Sequence, residues 1–193
     1  MRLFIKFLFS LFVSATLSII IFSCTAFAQD NETIDMEKAK RIAVLHIISD
    51  MKNAEIETWE KGVRLYKSTT MYDIDNNPSA YMFEFVNKAG KDSGYIIVGA
   101  NRSSYPIIEF AYNNKPFIYT AVEIAKTDAV IRSNGKALKN QNSKIYYLGN
   151  LNYYVELEYA DNSSTVYGIS DSSIQNVSLN NIKEQVKTQK LMA

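Results

Sequence analysis

The stretch SGYIIVGANRSSYPIIEFAYNNKPF, residues 93–117, decides how this chain folds. Two apolar runs stand on either side of a polar break. The first run, 95–100, is almost continuously apolar, which is typical of a strand in the middle of a sheet. The second run, 105–112, alternates and places Phe110 and Tyr112 on the same face. The pattern predicts two antiparallel strands joined by a short turn.

Two further strands are predicted before this stretch. Residues 63–73 and 81–86 both alternate between apolar and polar or aromatic side chains. Between them, 75–78 reads Asp-Asn-Asn-Pro, a composition that favours a turn. Residues 63–112 are therefore expected to form an antiparallel meander of about four strands.

Residues 30–52 are predicted to form a helix. Thr33 or Asp35 can cap its N-terminus. His46, the only histidine, lies at the edge of its apolar face and is expected to be a half-buried packing residue. This wide face would cover one side of the meander. Seven apolar residues at helical spacing form the face: Met36, Ala39, Ala43, Val44, Ile47, Ile48 and Met51.

The C-terminal half repeats the mixture of helix and strand. A second helix is predicted from the capping box formed by Thr120 and Glu123 to the stop at 133–135, Ser-Asn-Gly. The polar tail 178–193 is a further helix candidate. The expected fold class is α+β: an antiparallel β meander covered by an N-terminal helix, with a second short β region and a C-terminal helix. Three segments make up this second β region: 144–149, 151–160 and 165–169.

The N-terminus has the features of a secretory signal peptide. Residues 1–28 combine two basic residues, a long apolar run and a small-x-small ending, which predicts cleavage between Ala28 and Gln29. Two alternatives stay open. The apolar run could be an uncleaved membrane anchor, or Cys24 could be acylated in a lipoprotein. We therefore expect secretion, with membrane attachment as a lipoprotein if Cys24 is lipidated.

The rest of the chain is expected to hold one domain, 29–176, and a helical tail, 177–193. Removing residues 1–28 takes away two basic residues and leaves 19 basic against 20 acidic side chains. This near-neutral balance gives no basic footprint for nucleic acid. The mature chain lacks cysteine, and the sequence shows no zinc-ligand spacing and no glycine-rich phosphate loop. We expect no metal and no cofactor.

Catalysis is not expected either. The single histidine lies on a helix face, so a nucleophile would lack a base beside it. Glu109, Glu156 and Glu158 are the carboxylates that a glycosidase-like pair would need. Glu156 and Glu158 are two apart on one strand, on the face predicted to be solvated. The sequence therefore favours a binding protein over an enzyme.

Residues 81–112 resemble the pro-domain of streptopain-type, papain-like cysteine peptidases and its stand-alone relative, the Spi-type protease inhibitor. The resemblance is carried by Tyr-Met-Phe at 81–83, Gly-Tyr-Ile-Ile-Val-Gly at 94–99 and Tyr-Pro-Ile-Ile-Glu-Phe at 105–110. It implies a non-catalytic domain that binds a papain-like cysteine peptidase and inhibits or chaperones it. Two departures stand out: Ala100-Asn101 replaces an acidic residue of the streptopain pattern, and no cysteine-bearing peptidase segment follows.

The polar break between the two apolar runs is the candidate contact with this partner. It consists of Asn101, Arg102, Ser103, Ser104 and Tyr105, and an exposed arginine beside a tyrosine suits a binding hot spot. The alternative is a plain hairpin turn. Two other functions stay open: a cell-surface or extracellular binding module, and a remnant of a longer peptidase precursor.

Overall fold

Three helices and eight strands make up the described part of the chain. A computed structural model describes residues 33–53, 59–101, 106–139, 143–170 and 173–192, except for the side chains of 189–192. In chain order the elements are α1 (Met36–Asn53), β1 (Arg64–Tyr72), β2 (Pro78–Val86), β3 (Asp92–Gly99), β4 (Ile107–Tyr112), α2 (Phe117–Arg132), β5 (Lys144–Tyr147), β6 (Tyr153–Glu158), β7 (Ser164–Ser170), β8 (Ser173–Val177) and α3 (Leu179–Met192).

All eight strands form one sheet, in the order β4-β3-β2-β1-β5-β6-β7-β8. The predicted meander is confirmed, because β1 to β4 are successive antiparallel neighbours. The second β region is larger than predicted, since β8 was not expected. It also continues the same sheet: β5 pairs in parallel with β1 through Tyr72 and Tyr146. The fold is α+β as expected, with a mixed sheet.

The helix α1 begins after Asp35, whose Oδ1 accepts a hydrogen bond from the Lys38 N–H at 2.7 Å. This is the N-cap role predicted for Asp35. Ala39 and Ala43 are fully buried and, with Ile47, pack against the face of β2 and β3 that carries Phe83 and Ile96. Small side chains here let the helix lie close to the sheet. Met36 and Ile42 are half-buried against the same cluster, whereas Val44, Leu45, Ile48 and Met51 are exposed. The predicted apolar face is therefore too wide, since Val44, Ile48 and Met51 were expected to belong to it.

His46 is half-buried, as expected. Its ring lies edge-on to Phe110 of β4, with 4.6 Å between the ring centroids. Its Nε2 atom is buried and has no hydrogen-bond partner in the described residues. The side chain therefore acts in packing between α1 and the edge strand.

The helix α2 packs against the opposite face of the sheet. It begins three residues before the predicted capping box, at Phe117, and Pro116 provides the N-cap without a side-chain hydrogen bond. Proline is tolerated here because the first N–H groups of a helix have no partner within the helix, so its missing N–H costs no helical hydrogen bond. The expected stop is confirmed, because the Gly135 N–H donates to the Val130 carbonyl at 3.0 Å. Its buried stripe is Ile118, Ala121, Val122, Ala125 and Ala129.

The sheet curls around α2. β4 and β6 are five strand spacings apart in the sheet, about 24 Å if the sheet were flat. Yet the Tyr153 hydroxyl on β6 donates a 2.9 Å hydrogen bond to Glu109 Oε2 on β4. Two side chains cannot span that distance, so the two halves of the sheet must turn towards each other. The apolar core lies between this concave face and α2.

The C-terminal helix α3 covers part of the outer face of the second half. Ile182 is 3% exposed and packs with Ile74 and Val166. Leu179 and Val186 lie beside it, and these three form the weak apolar stripe predicted for the tail. One compact unit, Thr33–Ala193, includes this helix.

Candidate functional site

The C-terminal end of β3 is held by the segment that precedes α1. The strand itself is buried at every residue after its first. The Ile34 N–H donates to the Ala100 carbonyl at 2.8 Å, and Thr33 forms an antiparallel bridge with Asn101. The Tyr81 hydroxyl donates to the Ile34 carbonyl at 3.1 Å. These contacts fix the point where the chain leaves the sheet.

Asn101 is the one residue of the predicted partner-binding segment that the structure describes. It is half-buried at the bridge with Thr33. Arg102, Ser103, Ser104 and Tyr105 lie outside the described residues.

The far end of this segment is also held by the backbone. The Gly99 N–H donates to the Pro106 carbonyl at 3.1 Å, so the chain leaves and rejoins the sheet at neighbouring positions. The predicted contact segment therefore connects two adjacent antiparallel strands, and both of its ends are tied to buried backbone.

The expectations for the N-terminus fall outside the described residues. This holds for the cleavage site at Ala28 and Gln29 and for the lipidation candidate Cys24. Within the described ranges, no helix is long and apolar enough to cross a bilayer.

A second candidate site is a cleft of about 390 Å³ on the concave side of the sheet, at the N-terminus of α2. Its volume falls within the range of about 300–1,000 Å³ typical of small-molecule sites. We call it the Glu109 cleft. The side chains that matter for its chemistry are Ile97, Glu109, Phe117, Leu151, Tyr153 and Ile169.

Glu109 accepts hydrogen bonds from two tyrosines. The Tyr95 hydroxyl donates to Oε1 and the Tyr153 hydroxyl donates to Oε2 at 2.9 Å. Burial raises the pKa of both phenols above the ordinary value of 10.0, and the nearby carboxylate raises it further. Both hydroxyls therefore stay protonated and act as donors at neutral pH.

A third tyrosine supports this pair. The rings of Tyr147 and Tyr153 are 5.3 Å apart between centroids and tilted by 41°. Burial raises the pKa of Tyr147, and the charge of Glu109 raises it in the same direction. The ring contact limits the movement of Tyr153, so it helps to hold the donor against Glu109.

The charge of Glu109 is not balanced by a basic side chain in the described residues. Two other carboxylates that accept from tyrosine do have such a partner: Lys67 Nζ lies 3.8 Å from Glu84, and Arg132 pairs with Asp128. Asp50 and Glu156 resemble Glu109, since each accepts from a tyrosine and has no basic side chain within 4 Å in the described residues. Lysine and arginine are absent within 4 Å of Glu109 among the residues described. Glu109 is thus a carboxylate whose donors in the described residues are neutral. It lies at a cleft of mixed lining, in which Asn150, Asn152 and Ser170 stand among the apolar side chains.

The other two carboxylates considered from sequence have separate surroundings. Glu156 accepts from the Tyr146 hydroxyl at 2.6 Å and from Ser164 Oγ at 2.8 Å. Glu158 pairs with Lys139. Neither is fully exposed, so the solvated face predicted for them is in part covered.

Glu109 stands out in the sequence as one carboxylate of a possible glycosidase-like pair, but the cleft is not predicted by any local pattern. The side chains around the carboxylate come from β3, β4 and β6, and they meet because the sheet curls. A local pattern carries no such information. The one available signal was the density of tyrosine, 13 in the chain, on strands that also carry glutamate.

Comparison of the chain with protein-family models, with curated proteins and with solved structures found no match.

Proposed function

We propose that this chain is an exported, non-catalytic domain that binds a papain-like cysteine peptidase and inhibits or chaperones it. The resemblance of residues 81–112 to streptopain-type pro-domains suggests the partner. One observation carries the proposal: backbone hydrogen bonds hold both ends of the segment 102–105, from Ile34 to Ala100 and from Gly99 to Pro106.

Binding has a conformational cost that the folded protein can lower. A segment that must be ordered on binding loses conformational entropy, and this loss weakens the complex. Here the ends of the segment are fixed during folding by β3, which is among the most buried strands, and by Thr33–Ile34. Less entropy is then left to lose when the segment enters a groove, which favours tight binding of a peptidase cleft.

The test is a retention and inhibition assay with residues 29–193, the expected mature chain. The protein is immobilised, exposed to culture supernatant, and eluted proteins are assayed for cysteine-peptidase activity. In parallel, purified papain-like peptidases are titrated with it. We expect retention of a peptidase and slowing of its turnover at micromolar concentrations. If no peptidase is retained and none is slowed, the proposal is wrong.

Variants test the contact segment. Asn101→Ala with Arg102→Ala should weaken inhibition. The matched control is Lys91→Ala, which also removes one basic side chain but lies in the turn before β3, at the opposite end of that strand. Equal potency of the double variant and this control would exclude the segment 101–105 as the contact.

A second candidate function is a cell-surface or extracellular binding module. The exposed apolar row on α1 favours it, since Leu45 is 65% exposed and Ile48 is 45% exposed. Exposed apolar side chains in a row are typical of surfaces that contact proteins. Substituting both by serine would abolish partner retention under this function and leave peptidase inhibition unchanged.

A further inference from the structure

We propose that the Glu109 cleft binds a primary ammonium or guanidinium group carried on an apolar stem, with Glu109 as its counter-ion. The proposal does not depend on the segment 101–105, and it stands or falls independently of peptidase binding.

The charge of Glu109 is the first reason for the proposal. Glu109 is half-buried, and a carboxylate that is partly removed from water is costly unless it is paired or hydrogen-bonded. The hydroxyls of Tyr95 and Tyr153 supply one hydrogen bond to each oxygen of Glu109. A carboxylate can accept about four hydrogen bonds, so acceptor capacity remains on Glu109. In the described residues no basic side chain occupies it. A cationic donor from outside the chain is the group that would complete the set.

The apolar wall of the cleft is the second reason for the proposal. Apolar side chains surround the carboxylate: Ile97 on β3, Ile169 on β7 and Phe117 at the start of α2. Phe117 is 47% exposed and Leu151 is 56% exposed, so both present apolar surface to an incoming molecule. A ligand with a charged head and an alkyl stem would bury the stem on these groups. This division of head and stem is the one that lysine and arginine side chains have.

The start of α2 also lines the cleft. A helix N-terminus favours negative charge. However, an anion here would have to lie beside Glu109, and the like charges would repel each other. The cleft therefore selects a cation over an anion.

The experiment uses three probes of equal chain length on the purified protein: n-butylammonium, butan-1-ol and butyrate. Binding is followed by perturbation of backbone amide signals in NMR titrations at constant ionic strength. We expect saturable perturbation around Glu109 and Tyr153 by n-butylammonium, with butan-1-ol at least about tenfold weaker, because a hydrogen bond to a charged group is the stronger kind. Equal binding of the alcohol, stronger binding of butyrate, or no saturation by n-butylammonium would overturn the proposal.

Variants assign the effect to the carboxylate. Glu109→Gln keeps the size of the side chain. It should weaken the binding of n-butylammonium about tenfold or more and leave the binding of butan-1-ol unchanged. Glu123→Gln is the matched control, since Glu123 is an exposed carboxylate on α2 that pairs with Lys126. It should leave both ligands unchanged. Phe117→Ala should weaken the binding of both ligands by the same factor. If Glu109→Gln does not fold, the comparison of probes on the unsubstituted protein still decides.

Two further probes distinguish the source of the cation. Blocked lysine and blocked arginine, acetylated and amidated, represent side chains of a polypeptide, and blocked norleucine is their neutral control. Tighter binding of blocked lysine or arginine than of n-butylammonium supports a basic side chain of a partner protein. Binding of n-butylammonium without the blocked residues supports a free amine. Equal binding of blocked norleucine and blocked lysine would refute the role of the charge.

Discussion

Substitution of Gly94 by alanine should destabilise the fold strongly. Gly94 lies in β3 with φ of +121°, a conformation that side chains of L-residues rarely adopt. A Cβ at this position would lie 2.1 Å from the backbone oxygen of Ala111 and 3.1 Å from the ring of Trp59. Contacts of Cβ below 3.0 Å are essentially never observed, so the oxygen must move by 0.9 Å, the difference between 3.0 and 2.1 Å.

The magnitude follows from three contributions. The unfavourable φ costs about 1–2 kcal/mol. Displacing the Ala111 carbonyl in the β3–β4 ladder weakens one hydrogen bond, about 1 kcal/mol. Pressing on Trp59, which is 2% exposed, adds overpacking of about 1 kcal/mol or more. We expect a loss of about 4 kcal/mol in the free energy of unfolding, a large part of the ~5–15 kcal/mol typical of a domain.

The matched control is Gly90→Ala. Gly90 also has a positive φ, +77°, but no atom lies within 4 Å of the position of a Cβ. It should lose only the conformational contribution, about 1–2 kcal/mol. Both variants are measured by urea unfolding followed by the fluorescence of Trp59, the single tryptophan. If Gly94→Ala loses no more stability than Gly90→Ala, the close approach of β4 to Gly94 is not the cause, and the reasoning is refuted.

Three further predictions concern the helices and the tyrosines. Ala43→Leu should lower the free energy of unfolding in urea by about 1–3 kcal/mol, because no space is left between α1 and the sheet at this fully buried position. Leu45→Ala, at an exposed position, should change it far less. Equal losses in the two variants would contradict the packing of α1. Ile182→Ala should destabilise by about 2–4 kcal/mol through the loss of its contacts under α3, whereas no change would mean that this helix does not pack on the sheet. The stability that Tyr95 and Tyr153 contribute should be fully present below about pH 10 and be lost as the pH rises further, because their pKa values are raised in the folded state and the unfolded chain releases these protons first. Unfolding measured from pH 9 to 11 should show this slope, and Tyr153→Phe should reduce it; a flat profile would contradict the buried phenols.

The first half of the fold could be predicted because its information is local. Alternation over 63–73 and 81–86 and the apolar run at 95–100 fix the faces of strands that pair with their neighbours in sequence. β8 is not predicted from the sequence, because Ser173–Val177 is an edge strand with little apolar content. The start of α2 was placed too late because the box at Thr120 matches a cap, although Pro116 begins the helix in the structure.

The arrangement of the second half and the Glu109 cleft could not be predicted. The parallel pairing of β1 and β5 joins strands separated by β2, β3, β4 and α2, and no short pattern in the sequence encodes such a partner. The cleft depends on this pairing and on the curl of the sheet. The antiparallel pairing of β3 and β4, the strands on either side of the segment 101–105, could be predicted, because it required only the local alternation.

The junction between β1 and β5 has a consequence for the order of folding. It contains one register pair, Tyr72 with Tyr146, whereas every other pair of neighbouring strands has at least four. Strands on either side of it pair with neighbours that are close in sequence, and such contacts form fast because little loop entropy is lost. The junction joins residues that are 74 positions apart in the sequence, and it forms few backbone hydrogen bonds between the strands. The two hairpin-rich halves should therefore form early and independently, and their docking at this seam should limit the folding rate.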